Sequence, residues 1–370
     1  MKIAKSYFFF LLLLLAFSSS CKENNTNKND KDKALKDNST KTMNVEKFYW
    51  EENINSPLGY PVEVYRGGLE AKDGSYVSLS LGPDAGNWGE LGSGMSSGEK
   101  PVPNRLNVTW ISYAENIFYD IDTEIDHDKM VKLFKEGYEE NNKKWGRRKE
   151  NYRTIIVGFA PGGVAVIWLA GAGKQVEIGR YQAEKITIPQ EEIDKLDSHD
   201  KLLFDEANVK RIMSKESFVP LEVQKANQNK PIPFGLWDTY RKQYDWKIDF
   251  VVDNGGKVAD FSYTLFNGER DEIFPENLPE KTYTKRAIPK QLSLGWHDQQ
   301  GQLYGGSLDF NEKEIFNAFA AIYEKDPNAK ATLVLTVNKT NTYLTVTLKT
   351  DDKTIALKEN NINIFKSRKK

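Results

Sequence analysis

A serine with a glycine two residues to either side, Gly94-Met95-Ser96-Ser97-Gly98, is the first place in this sequence where chemistry could reside. The spacing is that of a nucleophile elbow, a strained strand-to-helix turn that exposes the serine hydroxyl. The setting argues against it. Gly86 to Gly98 reads as a flexible glycine- and serine-rich loop, and Glu99-Lys100-Pro101 follows where a helix should begin. The three histidines, His127, His199 and His297, are too far apart in sequence to share a helix face as a zinc-type pair. His127 and His199 read as solvated helical residues, and His297-Asp298 as the start of a turn. Asp253-Asn254-Gly255-Gly256 and Asp351-Asp352 lack the alternating oxygen ligands and distal glutamate of a calcium loop and read as hairpin turns. Gly171-Ala172-Gly173-Lys174 lacks the spacing of a phosphate loop. The sequence therefore assigns no catalytic, cofactor-binding or metal-binding residue.

The residue with the clearest chemical expectation is Cys21, the single cysteine of the chain. Lys2 and Lys5 precede an apolar run from Tyr7 to Phe17, and Ser18-Ser19-Ser20 supplies small residues before the cysteine. That is the pattern of an export signal, over residues 1–20, and the run falls short of the roughly 20 residues a membrane helix needs. A lone thiol just after a leader has no disulfide partner, so the expectation is lipidation at Cys21, although Ser18 stands where a lipobox usually has Leu. At about 0.8 kcal/mol per buried methylene, several acyl chains make a permanent anchor. Lys22 rather than Asp follows the cysteine, which favours the outer membrane, with the protein on its periplasmic or cell-surface side. Membrane lipid is the expected partner of the acylated Cys21. Residues 21–44 are almost wholly polar and read as a disordered tether.

Without residues 1–20 the chain carries 50 basic and 53 acidic residues, a near-balanced surface with no footprint for nucleic acid. Its 8 Trp and 17 Tyr could build a stacking surface for a glycan. Trp110, Trp168 and Trp296 lie in apolar strand patterns and read as core, whereas Trp88 among glycines reads as exposed, followed by Trp237 and Tyr240. These three are the candidate binding-loop residues.

The elements that would position them are short β-rich runs, among them Tyr60–Tyr65, Tyr76–Leu81, Leu106–Tyr113 and Thr154–Phe159. Pro161-Gly162-Gly163 predicts a hairpin into Val164–Leu169. Pro103, Leu106 and Trp110 recur as Pro289, Leu292 and Trp296, and Tyr119 and Tyr138 as Tyr304 and Tyr323. Between each tyrosine pair lies a helix, N-capped by Asp126 or Asn311, with Met130, Leu133, Phe134 and Tyr138, or Ile315, Phe319, Ile322 and Tyr323, on one face. Glu314 is placed to complete a capping box with Asn311. The expectation is an α+β chain of two tandem related domains, residues 45–188 and 234–370, each a mostly antiparallel sheet with one packed helix. A helical segment and linker, 189–233, would join them.

Phe48 to Trp50, Tyr60-Pro61-Val62, Arg66-Gly67, Trp88-Gly89, Pro103 with Leu106 and Trp110, and Pro161-Gly162-Gly163 leading to Trp168 together resemble bacterial lipoproteins grouped as domain of unknown function 2931. The likeness covers residues 48 to about 185, and the second domain reads as a divergent copy. It implies an envelope lipoprotein and carries no catalytic residues across. The expected function is a non-enzymatic envelope binding or interaction protein whose partner is an envelope protein or glycan. The alternative is an immunity-type lipoprotein that neutralises a delivered toxin, and a remote third is an envelope hydrolase acting through Ser96.

Overall fold

A computed structural model describes residues 45–142, 146–253 and 255–367. Cys21, the leader and the tether lie outside the described residues. Residues Asn44–Lys370 cluster as one compact unit.

The chain is rich in strands, in sheets that mix antiparallel with a few parallel pairs. Its first half contains Lys47–Asn55 (β1), Val62–Glu70 (β2), Tyr76–Ser78 (β3), Ser93–Pro101 (β4), Arg105–Ser112 (β5) and Ile117–Glu124 (β6). Helix His127–Glu136 (α1) and hairpin Tyr138–Asn142 (β7) and Gly146–Glu150 (β8) follow. Thr154–Ala160 (β9), Val164–Ala170 (β10), Gln175–Gln182 (β11) and Glu184–Ile186 (β12) complete it. Short helices Gln190–Asp194 (α2), Glu206–Ser214 (α3), Leu221–Asn227 (α4) and Leu236–Tyr240 (α5) lead into the second half.

There the strands are Tyr244–Val252 (β13), Lys257–Leu265 (β14), Arg270–Glu272 (β15), Thr284–Arg286 (β16), Pro289–His297 (β17) and Leu303–Asp309 (β18). Helix Glu312–Tyr323 (α6) precedes Ala331–Val337 (β19), Leu344–Lys349 (β20), Thr354–Leu357 (β21) and Asn361–Lys366 (β22).

Strand order is the same in both halves. The first half has runs β11-β10-β9-β1-β4 and β12-β6-β5-β2-β3, and the second has β21-β20-β19-β13-β16 and β22-β18-β17-β14-β15. In each, the first strand pairs in parallel with the strand after the helix, β1 with β9 and β13 with β19. Each half is thus two packed sheets with a helix, where a single sheet was expected. One ten-stranded sheet crosses the molecule, because β11 pairs with β15 at Gln175 and Arg270.

The sequence periods explain which faces are covered. Thr154–Ala160 and Val164–Ala170 are buried on both faces, as unbroken apolar runs predict. Ile155, Val157 and Phe159 join the core between the first-half sheets, while Ile156, Val166 and Trp168 join a separate cluster outside. Their counterparts in β19 and β20 alternate. Leu333, Leu335, Leu344 and Val346 are buried, and Thr336, Thr345 and Thr347 point to the open side.

Both helix caps form as expected: the Lys129 N–H donates to Asp126 and the Glu314 N–H to Asn311, each at 3.0 Å. The capping box does not close, because the Glu314 carboxylate accepts from the backbone N–H groups of Lys358 and Glu359. Met130 and Phe134 are buried on α1, but Gly137 ends that helix at φ 59° and Tyr138 begins β7 instead. α6 has no such stop, so Tyr323 remains helical.

Candidate functional site

Inward positions of β1 recur every second residue, which places Trp50, Glu52 and Ile54 against the core. A carboxylate there is unexpected, and Glu52 is only 1% exposed. Opposite it, the ladder between β1 and β4 slips by one residue, a β-bulge that sets Met95 and Ser96 against Glu52. The bulge turns the Ser96 N–H out of the ladder, and Glu52 Oε1 accepts it at 2.8 Å. The Ser96 hydroxyl lies 2.8 and 2.9 Å from the two Glu52 oxygens. Lys100 Nζ donates to Glu52 Oε2 at 2.6 Å and to the Ser96 carbonyl at 2.8 Å. Burial pushes the Glu52 pKa up, but the bonds from Lys100 and Ser96 outweigh it and hold the group below the usual carboxylate range.

The Gly94-to-Gly98 motif is therefore part of a bulged edge strand, which corrects the flexible-loop reading. A serine–lysine nucleophile needs a neutral amine to take the hydroxyl proton. Lys100 is instead ion-paired to a buried carboxylate, and the Ser96 N–H that could stabilise an oxyanion is already bonded to Glu52. The cluster is built to hold backbone.

The adjoining segment is equally fixed. Asn53 brackets Gly92, donating to its carbonyl at 3.1 Å and accepting its N–H at 2.8 Å. Asn55 donates to the Asn87 carbonyl and accepts the Gly89 N–H. Asp84 accepts from the N–H groups of Ser56 and Ser93, and burial raises its pKa against those bonds. The segment presses Gly89 against Gly268 of the second half: a β-carbon on Gly89 would stand 2.4 Å from the Gly268 Cα. Across this seam Gln175 donates to the carbonyls of Gly89 and Gly268, and Trp168 to that of Asn267.

The expected exposed aromatics lie in this seam and are not exposed. Trp88 is 7% and Trp237 2% exposed, with ring centres 6.5 Å apart. Trp88 also meets Trp168 edge-on at 4.9 Å. Tyr240 is half-buried beside them and donates its hydroxyl to Glu312 at 2.8 Å. The structure thus brings all three residues together, as packing beneath the seam between the two halves of the chain. Cys21 lies outside the described residues. Loop aromatics among glycines read as open because the sequence conceals the Asn53, Asn55 and Gln175 side chains that pull this loop inward.

The histidines do not converge: His127 lies 3.0 Å from Asp128, His199 is exposed, and His297 ends β17 with Asp298 opening the turn that follows, as expected. Among the described residues no three His, Cys, Asp or Glu side chains form a metal-holding group. The connection between β20 and β21 at residues 350–353 is a hairpin, as expected, whereas β13 and β14 belong to different sheets, so the chain passes from one sheet to the other where a hairpin turn was expected at Asp253.

Two further segments, one of them within the expected linker, are structural. The β7–β8 hairpin straps onto the second half, where the Asn141 N–H donates to Glu272 and Arg147 pairs with Glu276 and covers the Phe274 ring. Residues 200–213 bury Leu203, Val209 and Ile212 against Ile111 and Tyr113 of β5 and its following turn.

The signal for Glu52 was present in the sequence: a charged residue at an inward position between Trp50 and Ile54. Asn53, Asn55, Asp84 and Gln175 gave none, since their partners are backbone groups distant in the sequence. A family model described as "Protein of unknown function (DUF2931)" matches residues 24–235, so the matched region takes in the helical segment as well as the first half. No curated protein and no solved structure matches the chain.

Proposed function

The chain belongs to the family described as Protein of unknown function (DUF2931), and from that premise we propose that it is a non-enzymatic binding protein of the bacterial outer membrane, anchored through lipid on Cys21. The observation that carries the binding reading is the use made of its polar groups. The constellation that most resembles a catalytic one, Glu52, Ser96 and Lys100, is closed on itself and on backbone. Beside it, large side chains remain on the surface: Tyr49, Leu91 and Met95 are 54%, 59% and 70% exposed. A rigid scaffold presenting such groups suits recognition more than turnover.

The anchor rests on the leader pattern and the single cysteine. No helix among the described residues is long and apolar enough to cross a membrane, so attachment in this reading falls to the lipid. We further propose that the two halves descend from one unit. Their shared strand order, matching parallel pairs and equivalent helix caps support it.

The test is to immobilise residues 45–370 and challenge them with detergent extracts of the producing cell's envelope. The account expects one protein or glycan to be retained saturably and displaced by free 45–370. Hydrolysis of envelope substrates by the parent chain, abolished in Ser96→Ala, would contradict it.

A further inference from the structure

Among the described residues eight strands end sheets, and seven of them are short: β3, β12 and β16 have three residues each, β21 four, β7 and β8 five and β22 six. β4 has nine, and no described strand lies beyond it. Long free edges invite pairing, and proteins normally shorten or charge them. The middle of β4, Gly94-Met95-Ser96-Ser97-Gly98, has no charge at all.

The direction of its backbone groups follows from β1. The Glu51 N–H donates to Arg153 on the β9 side, so Trp50 faces β4 and bonds its partner Gly98. By alternation, the N–H and carbonyl groups of Ser97 and Glu99 point away from the sheet. Beside them the Tyr49 hydroxyl donates to Ser97 and the Glu51 carboxylate accepts from Thr154, while the Glu99 side chain is exposed. Tyr49 stands opposite Glu99 and Glu51 opposite Ser97, so these four share one face. Among the described residues neither Glu51 nor Glu99 has a cationic ion-pair partner.

The fold does not demand this edge. Trp246 occupies in β13 the position of Trp50, with its indole bonded to backbone at Arg286 and Ala287 as Trp50 bonds to Lys100. Two residues on, Ile248 stands where the first half has Glu52, and the equivalent edge β16 is short. An apolar residue therefore suffices at that place, whereas Glu52 with Lys100 fixes a bulge and extends an edge.

We infer that β4 is a docking strand, to which a partner polypeptide adds an extended segment carrying Lys or Arg at alternate positions opposite Glu99 and Glu51. This rests on the interaction reading above and specifies its site and chemistry. A second copy of the chain is the poorer occupant. The face of β4 that bears Ser97 and Glu99 carries no cation, and Lys100 lies on the other face against Trp50.

The test uses the full chain with Cys21→Ser and the peptide acetyl-Thr-Lys-Val-Lys-Val-Lys-Thr-amide as probe. Saturable binding is expected, with slowed amide exchange at Ser97 and Glu99. Ser97→Pro, which removes an outward N–H, and Glu99→Lys should each weaken binding at least tenfold. The paired charge reversal Glu51→Lys with Glu99→Lys serves if the proline variant does not fold. Absence of binding, equal binding to the variants, or a chain dimer dissolved by the same substitutions would overturn the inference. An envelope partner that holds equally to parent and variants would leave the interaction reading standing and remove β4 from it.

Discussion

Lys100 extends across Trp50 with its Nζ 4.4 Å from the ring centre, and in the second half Arg286 covers Trp246 at 4.5 Å. In both places a cation on the neighbouring edge strand seals an indole that ends the core, and a carboxylate then engages the cation: Glu52 for Lys100, Glu280 for Arg286. The difference is where the carboxylate comes from. Glu280 arrives from a loop, whereas Glu52 lies within the core face of β1.

That difference predicts an asymmetric cost. Lys100→Met leaves Glu52 buried without its cation and should lower stability by about 3–5 kcal/mol, the usual penalty for breaking a buried pair. Adding Glu52→Ile, which copies Ile248, should recover most of that loss. Urea denaturation of parent, single and double variants checks this, and a double variant no more stable than Lys100→Met would contradict the assignment.

Acid should expose the same pair. The Glu52 pKa is lowered in the fold, so its contribution is present above the unfolded-chain value and is lost as pH falls through the folded one. The stability difference between parent and Glu52→Gln should therefore narrow below about pH 4, the range where an unperturbed carboxylate titrates. Denaturation midpoints of both proteins from pH 7 to pH 3 measure it. A constant difference would exclude Glu52 as the titrating group.

Gly89 is the least replaceable residue of the seam. Its φ of 79° disfavours any side chain, and a β-carbon would collide with the Gly268 backbone. Gly89→Ala should cost about 3 kcal/mol, combining left-handed strain with the displaced contact. Gly82→Ala shares the φ but meets open space, so it isolates the strain alone. Comparable losses in the two variants would show that the close approach to Gly268 contributes nothing.

The strands, both helix caps and the paired anchors Trp110 and Trp296 were legible because each depends on local period or on neighbours close in sequence. The hairpin of β9 and β10 was legible for the same reason. Trp88 and Trp237 were misread as exposed because their burial depends on side chains far away in sequence, Gln175 drawing in Gly89 and Trp168 reaching Asn267. Ser96 was misread as part of a loop because glycine and serine report flexibility, while the bulge that makes it a strand is set by Glu52, 44 residues earlier.

The account as a whole depends on attachment at Cys21, and metabolic labelling tests it most directly. Cells expressing the parent chain or Cys21→Ser are grown with labelled palmitate, and the chain is recovered and counted. Label on the parent and none on Cys21→Ser is the predicted result, with the parent in the outer-membrane fraction. Equal labelling of the two, or an unlabelled parent, would contradict it.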